Sequence, residues 1–222
     1  LPSKGNFASL ELGYGFSNVR SYRYSVSPES GFRAAVSAEL LYPWLGATGE
    51  TWDGDAAVMY RALLTAEWRG YITMPWWNNH VLALRGGMGT TVGQPTSGGD
   101  YSIGGSFGGD TSIGSPAKNY PIHGFNSGSQ NGDHVLVLNA EYRFPIFQIQ
   151  RGIAALPIYF RGAHMSFVFD FGRAWRTGDI PGHRTWAAGD ATLADTLHSF
   201  FTGGRTGMGF ELHGEFIPWW GG

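Results

Sequence analysis

Over long stretches this chain alternates apolar and polar residues one for one, the pattern of β-strands whose two faces meet different surroundings. From Phe32 to Tyr42, Phe32, Ala34, Val36, Ala38, Leu40 and Tyr42 share one face, opposite Arg33, Ala35, Ser37, Glu39 and Leu41. In Arg61–Ile72, Ala62, Leu64, Ala66, Trp68 and Ile72 oppose Arg61, Thr65, Glu67 and Arg69. In Val135–Phe144, Leu136, Leu138, Ala140, Tyr142 and Phe144 oppose Val135, Val137, Asn139, Glu141 and Arg143. Arg161–Phe171 sets Ala163, Met165, Phe167, Phe169 and Phe171 against His164, Ser166, Val168 and Asp170. Arg205–Phe216 sets Met208, Phe210, Leu212 and Phe216 against Arg205, Gly207, Gly209, Glu211, His213 and Glu215. Weaker versions run through Ala8–Val26 and His80–Val92. The expectation is an all-β, antiparallel fold of about seven strands. Most exceed the five or six residues usual in globular proteins and approach the ~9–11 residues of a strand that crosses a membrane at a tilt.

Composition says which face meets what. Charged residues are 14% of the chain, well under the roughly 25% of soluble domains, and the only lysines are Lys4 and Lys118. A soluble antiparallel barrel or sandwich would bury its apolar face and cover the other with Lys and Glu. Here the polar faces mix Arg, Glu, Asp and Gly, as a barrel lumen does. Strand length, the glycine-rich polar face and the placement of aromatics favour a transmembrane β-barrel touching outer-membrane lipid. No run of about 20 apolar residues exists, so no transmembrane helix is expected. The net charge of −2 gives no electrostatic case for nucleic acid. The lack of cysteine excludes disulfides and thiolate metal sites.

An apolar–Pro–aromatic unit is expected to close three strands: Met74-Pro75 before Trp76 and Trp77, Phe144-Pro145 before Phe147, and Ile217-Pro218 before Trp219 and Trp220. Pro ends a ladder because it lacks a donor, and aromatics there suit a membrane-interface girdle. Connections alternate in length. Short ones are expected near Ser27–Gly31, Pro75–Asn79 and Pro145–Pro157, and long ones at Pro43–Asp55, Gly93–Gly132 and Arg176–Thr202. Short periplasmic turns and long extracellular loops are how such barrels are organised. The loop at 93–132 is the first candidate for function, since loops that long are uncommon without one. Its Gly98–Gly114 stretch lacks the Lys and helix of a phosphate cradle and reads as flexible.

That loop carries Gly104-Gly105 and then Ile122-His123-Gly124-Phe125. The following strands read Glu141-Tyr142-Arg143-Phe144-Pro145 and Phe169-Asp170-Phe171-Gly172. In order and spacing these motifs resemble the bacterial surface antigen family, the C-terminal barrel region of the BamA/TamA superfamily of outer-membrane proteins. The resemblance covers about residues 30–216. It implies a sixteen-strand barrel, of which these are roughly the eighth to fourteenth strands, so residues 1–222 are expected to form a partial barrel. It also implies a sixth loop tucked into the lumen, where an arginine following the glycine pair meets two acidic groups. Glu141 and Asp170 match the acidic positions, while His123 stands where the family has arginine. The implied lumen loop lock is His123, Gly124, Phe125, Glu141 and Asp170.

No HExxH, GxSxG or P-loop pattern occurs, so enzymatic activity and a cofactor are not expected. Glu211, His213 and Glu215 share a face at i, i+2, i+4, a spacing that suits a metal but more commonly lines a wet lumen, and no metal is expected. Nothing at Leu1 reads as a signal peptide, so the chain is expected to be a fragment or to begin downstream of the mature terminus. The leading functional expectation is a protein of the bacterial outer membrane that inserts or translocates polypeptides there, with substrate polypeptides and periplasmic or lipoprotein partners. Two alternatives stand beside it. One is a barrel anchor, secretion module or scaffold for an attached domain or larger complex. The other is a passive pore.

Overall fold

The computed structural model describes residues 4–6, 8–22, 25, 27–50, 56–58, 60–93, 100–105, 119–152, 158–176, 198 and 200–218. Among them the chain is all-β. Its strands are β1 (Lys4–Asn6), β2 (Ser9–Ser17), β3 (Gly31–Leu41), β4 (Thr48–Glu50), β5 (Ala56–Val58), β6 (Arg61–Thr73) and β7 (Val81–Gly93), then β8 (Tyr101–Ile103), β9 (Asn119–Tyr120), β10 (Gln130–Gly132), β11 (His134–Gly152), β12 (Ile158–Trp175) and β13 (Arg205–Pro218). Seven of them form one antiparallel meander in the order β2-β3-β6-β7-β11-β12-β13. These are the seven stretches of alternation. Among the described residues the sheet is open, with β2 and β13 as its edges. Two small sheets accompany it: β1-β4-β5, and β10-β8-β9 from the long loop.

The two faces differ in an unusual sense. On the face carrying the even-numbered residues of β2, β3, β6, β7 and β13, apolar side chains stand exposed: Leu12 at 67%, Tyr14 at 71%, Met208 at 70% and Phe210 at 74%. Val36, Leu64, Trp68, Met88, Leu138, Phe167 and Phe169 continue it across the sheet, all exposed. The core lies on the opposite face. There Leu63, Val135, Val137 and Ala174 of the sheet pack with Tyr101, Ile103, Tyr120 and Ile122 of the long loop. Each apolar side chain buried in this way contributes about 1.5–3 kcal/mol. Among the described residues the sheet therefore folds around its polar face and leaves most of its apolar face exposed, with Phe200 and Phe201 covering only the end around Phe171 and Arg173.

Aromatics gather at both ends of the exposed face. At the short-turn end, Trp76, Trp77, Ile146 and Phe147 are exposed, and the Trp76 indole donates to the Tyr142 hydroxyl at 3.3 Å. At the other end Tyr42, Trp44, Tyr60 and Phe201 are exposed, and Trp175 meets His134 at 5.5 Å and Phe200 edge-on at 5.3 Å. From the His134–Trp175 pair to the Phe144–Met165 pair is ten residues along β11. That is about 33 Å of strand, or about 25 Å of height at a tilt of about 40°. Trp219 and Trp220 lie outside the described residues.

Three sequence expectations are corrected. β2 stops at Ser17 instead of running to Val26. Asn18 interrupts the ladder there, its side-chain oxygen accepting from the Phe32 N–H at 2.7 Å, and the hairpin continues only as an Arg20–Ser30 bridge. The connection is thus longer than Ser27–Gly31. Pro145 does not end its strand, because β11 continues to Gly152 with a register shift between Pro145 and Phe147. Pairing with β7 has already ended at Arg143–Val81, so a residue without a donor is tolerated beyond that point. The loop at 93–132 is also not wholly irregular, since Tyr101–Ile103 is a strand inside the core.

Candidate functional site

The loop is seated on a bed of glycines. A Cβ on Gly89 would fall 2.5 Å from the Tyr101 ring, and one on Gly87 would fall 2.6 Å from the Tyr120 ring. Gly172 makes the same room for Ile122, and Gly207 for the His123 carbonyl. These glycines alternate along the polar faces of β7, β12 and β13, where flat backbone admits large side chains from above. The tyrosines reach past them to backbone carbonyls. The Tyr101 hydroxyl donates toward Leu64 O at 3.1 Å and Thr90 O at 3.3 Å, and that of Tyr120 toward Met88 O at 3.3 Å. Burial pushes the Tyr101 phenol up to about 12 and raises that of Tyr120 as well, so both act as neutral donors. Near the loop's start a buried Arg61–Asp100 ion pair at 2.6 Å ties it to β6.

The glycine pair joins the two limbs of the loop. Gly104 and Gly105 have φ of 104° and 95°, a region costly for any residue with a Cβ. In this conformation the Gly104 N–H donates to Tyr120 O at 2.9 Å and the Gly105 N–H to Phe125 O at 2.8 Å. Ile122, bridged to Gly105, drops into the core and brings His123 over β12 and β13. Gly124 turns the chain with φ of 82°. Phe125 then packs against the core cluster, with the Arg205 guanidinium 5.7 Å from its ring centre.

At the tip, His123 meets two carboxylates. Its backbone N–H donates to Asp170 Oδ2 at 2.8 Å. Its Nδ1 lies 2.5 Å from the same oxygen, and its Nε2 lies 2.7 Å from Glu211 Oε1. Asp170 is fully buried, and its other oxygen accepts from the Asn139 amide at 2.8 Å. All the donors that a buried carboxylate needs are therefore supplied. Burial works against the imidazolium, but Asp170 and then Glu211 outweigh it and hold His123 above its ordinary 6.5.

His123 and Asp170 are thus brought together. Glu141 is not their third member, because its carboxylate takes Arg143 at 2.5 Å, two residues along the same face. The second carboxylate on His123 is Glu211 of β13. Its position on the polar face was legible in the alternation. Its pairing was not, because the register that sets Ser166 opposite Glu211 is a property of the folded sheet. Of Glu211, His213 and Glu215, which share a face at i, i+2, i+4, the Glu215 side chain lies outside what is described. Glu211 and His213 are instead approached by Glu141, all three offering ligand atoms within 4.8 Å of one another. Those groups are already engaged: Arg143 holds Glu141, while His123 and His213 both hold Glu211.

His123, Asp170 and Glu211 also line a cavity of about 580 Å³. Arg69 and Arg85 line one side, sharing Glu67 at 3.1 and 2.7 Å. His164 and His213, stacked at 4.8 Å, line the other. The arrangement suits holding a loop against the polar face of the sheet. The chain matches no family model and no curated protein.

Proposed function

We propose that this chain is an arc of a bacterial outer-membrane β-barrel whose long extracellular loop is latched inside the lumen. We place it in the class that inserts or translocates polypeptides at that membrane. The observation that carries the barrel reading is the exposed apolar face. A water-soluble sheet of this size buries such a face, whereas here the polar face holds the core and the apolar face, bounded by aromatics, is largely exposed among the described residues. At the strand tilt of outer-membrane barrels its height would be about 25 Å, that of their apolar band.

The assembly class rests on the motif resemblance together with the seated loop. Loop residues fill the polar face at one end of the sheet, which weighs against a wide passive pore. The open edges at β2 and β13 fit an arc continued by further antiparallel strands, since an unpaired strand edge within lipid leaves backbone groups unsatisfied. Washing membranes that contain the protein with alkaline carbonate tests the reading. Retention in the membrane pellet is expected; release into the supernatant overturns it. Depleting the full-length protein then tests the class, with loss of other barrels from the outer membrane expected.

A further inference from the structure

We infer that the His123 latch is operated by a proton: the loop tip is held on the sheet when the imidazole carries both ring protons and loosens when it carries one. The inference rests on the loop seat of the proposed reading and is independent of which face meets lipid.

With both carboxyl groups ionised, the geometry requires the charged form. Both ring nitrogens face carboxylate oxygens, of Asp170 on β12 and Glu211 on β13. Carboxylate oxygens only accept, so both nitrogens must donate, and only the imidazolium does that. A neutral ring would point a lone pair at one carboxylate. The neighbouring groups leave this arrangement in place. On β13, His213 meets the other Glu211 oxygen at 3.0 Å, and His164 of β12 stacks on His213. On β11, Asn139 donates to Asp170 and Arg143 holds Glu141. On β6 and β7, Arg69 and Arg85 converge on Glu67.

The seated loop therefore raises the His123 pKa above 6.5. For a raised pKa, the contribution is complete below the released-state value of about 6.5 and is lost as pH rises through the seated-state value. Between the two values the seated-to-released ratio falls up to about tenfold per pH unit. An arginine at this position would stay charged throughout.

The chain has no cysteine, so Ser127→Cys on the exposed loop tip carries a single nitroxide label. Its electron paramagnetic resonance line shape is followed from pH 5 to 9 on the full chain in lipid vesicles. An immobile label at pH 5, a mobile component that grows reversibly with pH, and an immobile label throughout in His123→Arg are expected. No change with pH, or the same change in His123→Arg, overturns the inference. Failure to enter vesicles counts against the barrel reading instead, and the label is then read in detergent micelles. Ring-nitrogen NMR of His123 in the unsubstituted chain gives a second measure. Both nitrogens protonated at pH 6 is expected, and a neutral ring there overturns the inference.

Discussion

Asp170 and Glu141 look alike in sequence, each an acid on the polar face of a long strand, yet they do different work. Asp170 accepts the His123 backbone N–H, faces the imidazole and takes the Asn139 amide, all without exposure to water. Glu141 holds Arg143 within its own strand. Asp170→Ala strands the imidazolium and the Asn139 donor, and is expected to cost about 3 kcal/mol, with protease cleavage of the loop near His123. Glu141→Ala should leave the loop protected. Urea unfolding with limited proteolysis of both variants separates them, and equal loop cleavage would contradict this assignment. The motif resemblance pointed to His123 and Asp170, and the alternation placed Asp170 on the polar face of its strand. Neither paired His123 with Glu211, eighty-eight positions away, because that contact depends on how β12 and β13 register.

The long strands were legible because period-2 alternation survives wherever the two faces of a sheet meet different media. Their ends were less so. Pro145 signals a stop, but a strand paired on one side only passes through it. The loop was misread in part for a related reason. Its glycines suggested flexibility, while the structural counterpart of Tyr101 and Tyr120 is the glycine row on β7, a match between segments distant in sequence. Two substitutions test that match. Gly89→Val places a branched side chain against the Tyr101 ring and should cost about 1–3 kcal/mol while unseating the loop. Gly209→Ala, with nothing within 4 Å of its added Cβ, should leave thermal stability and proteolysis unchanged. Equal behaviour of the two would mean that the glycine bed is not what seats the loop. Tyr101→Phe should cost about 1 kcal/mol, the worth of its hydroxyl hydrogen bonds, measured by the urea midpoint.

For the whole molecule, the defining property is the inversion of faces. The loop, its latch and its glycine bed all lie on the polar side, and most of the apolar side is exposed among the described residues, with Phe200 and Phe201 covering it only around Phe171 and Arg173. In the proposed reading, lipid on that side would account for the exposed Leu64 and Trp68, for the aromatics at both ends, and for the few lysines. Five single-cysteine variants of β6, from Leu64 to Trp68, test this most directly. Each is spin-labelled on the full chain in vesicles, and collisions with oxygen, which partitions into lipid, are compared with those of a water-soluble nickel chelate. Oxygen access should peak at positions 64, 66 and 68 and fall at 65 and 67, with nickel access in antiphase where the wet interior is reached. Nickel access at 64, 66 and 68, with low oxygen access there, would contradict a lipid-facing sheet.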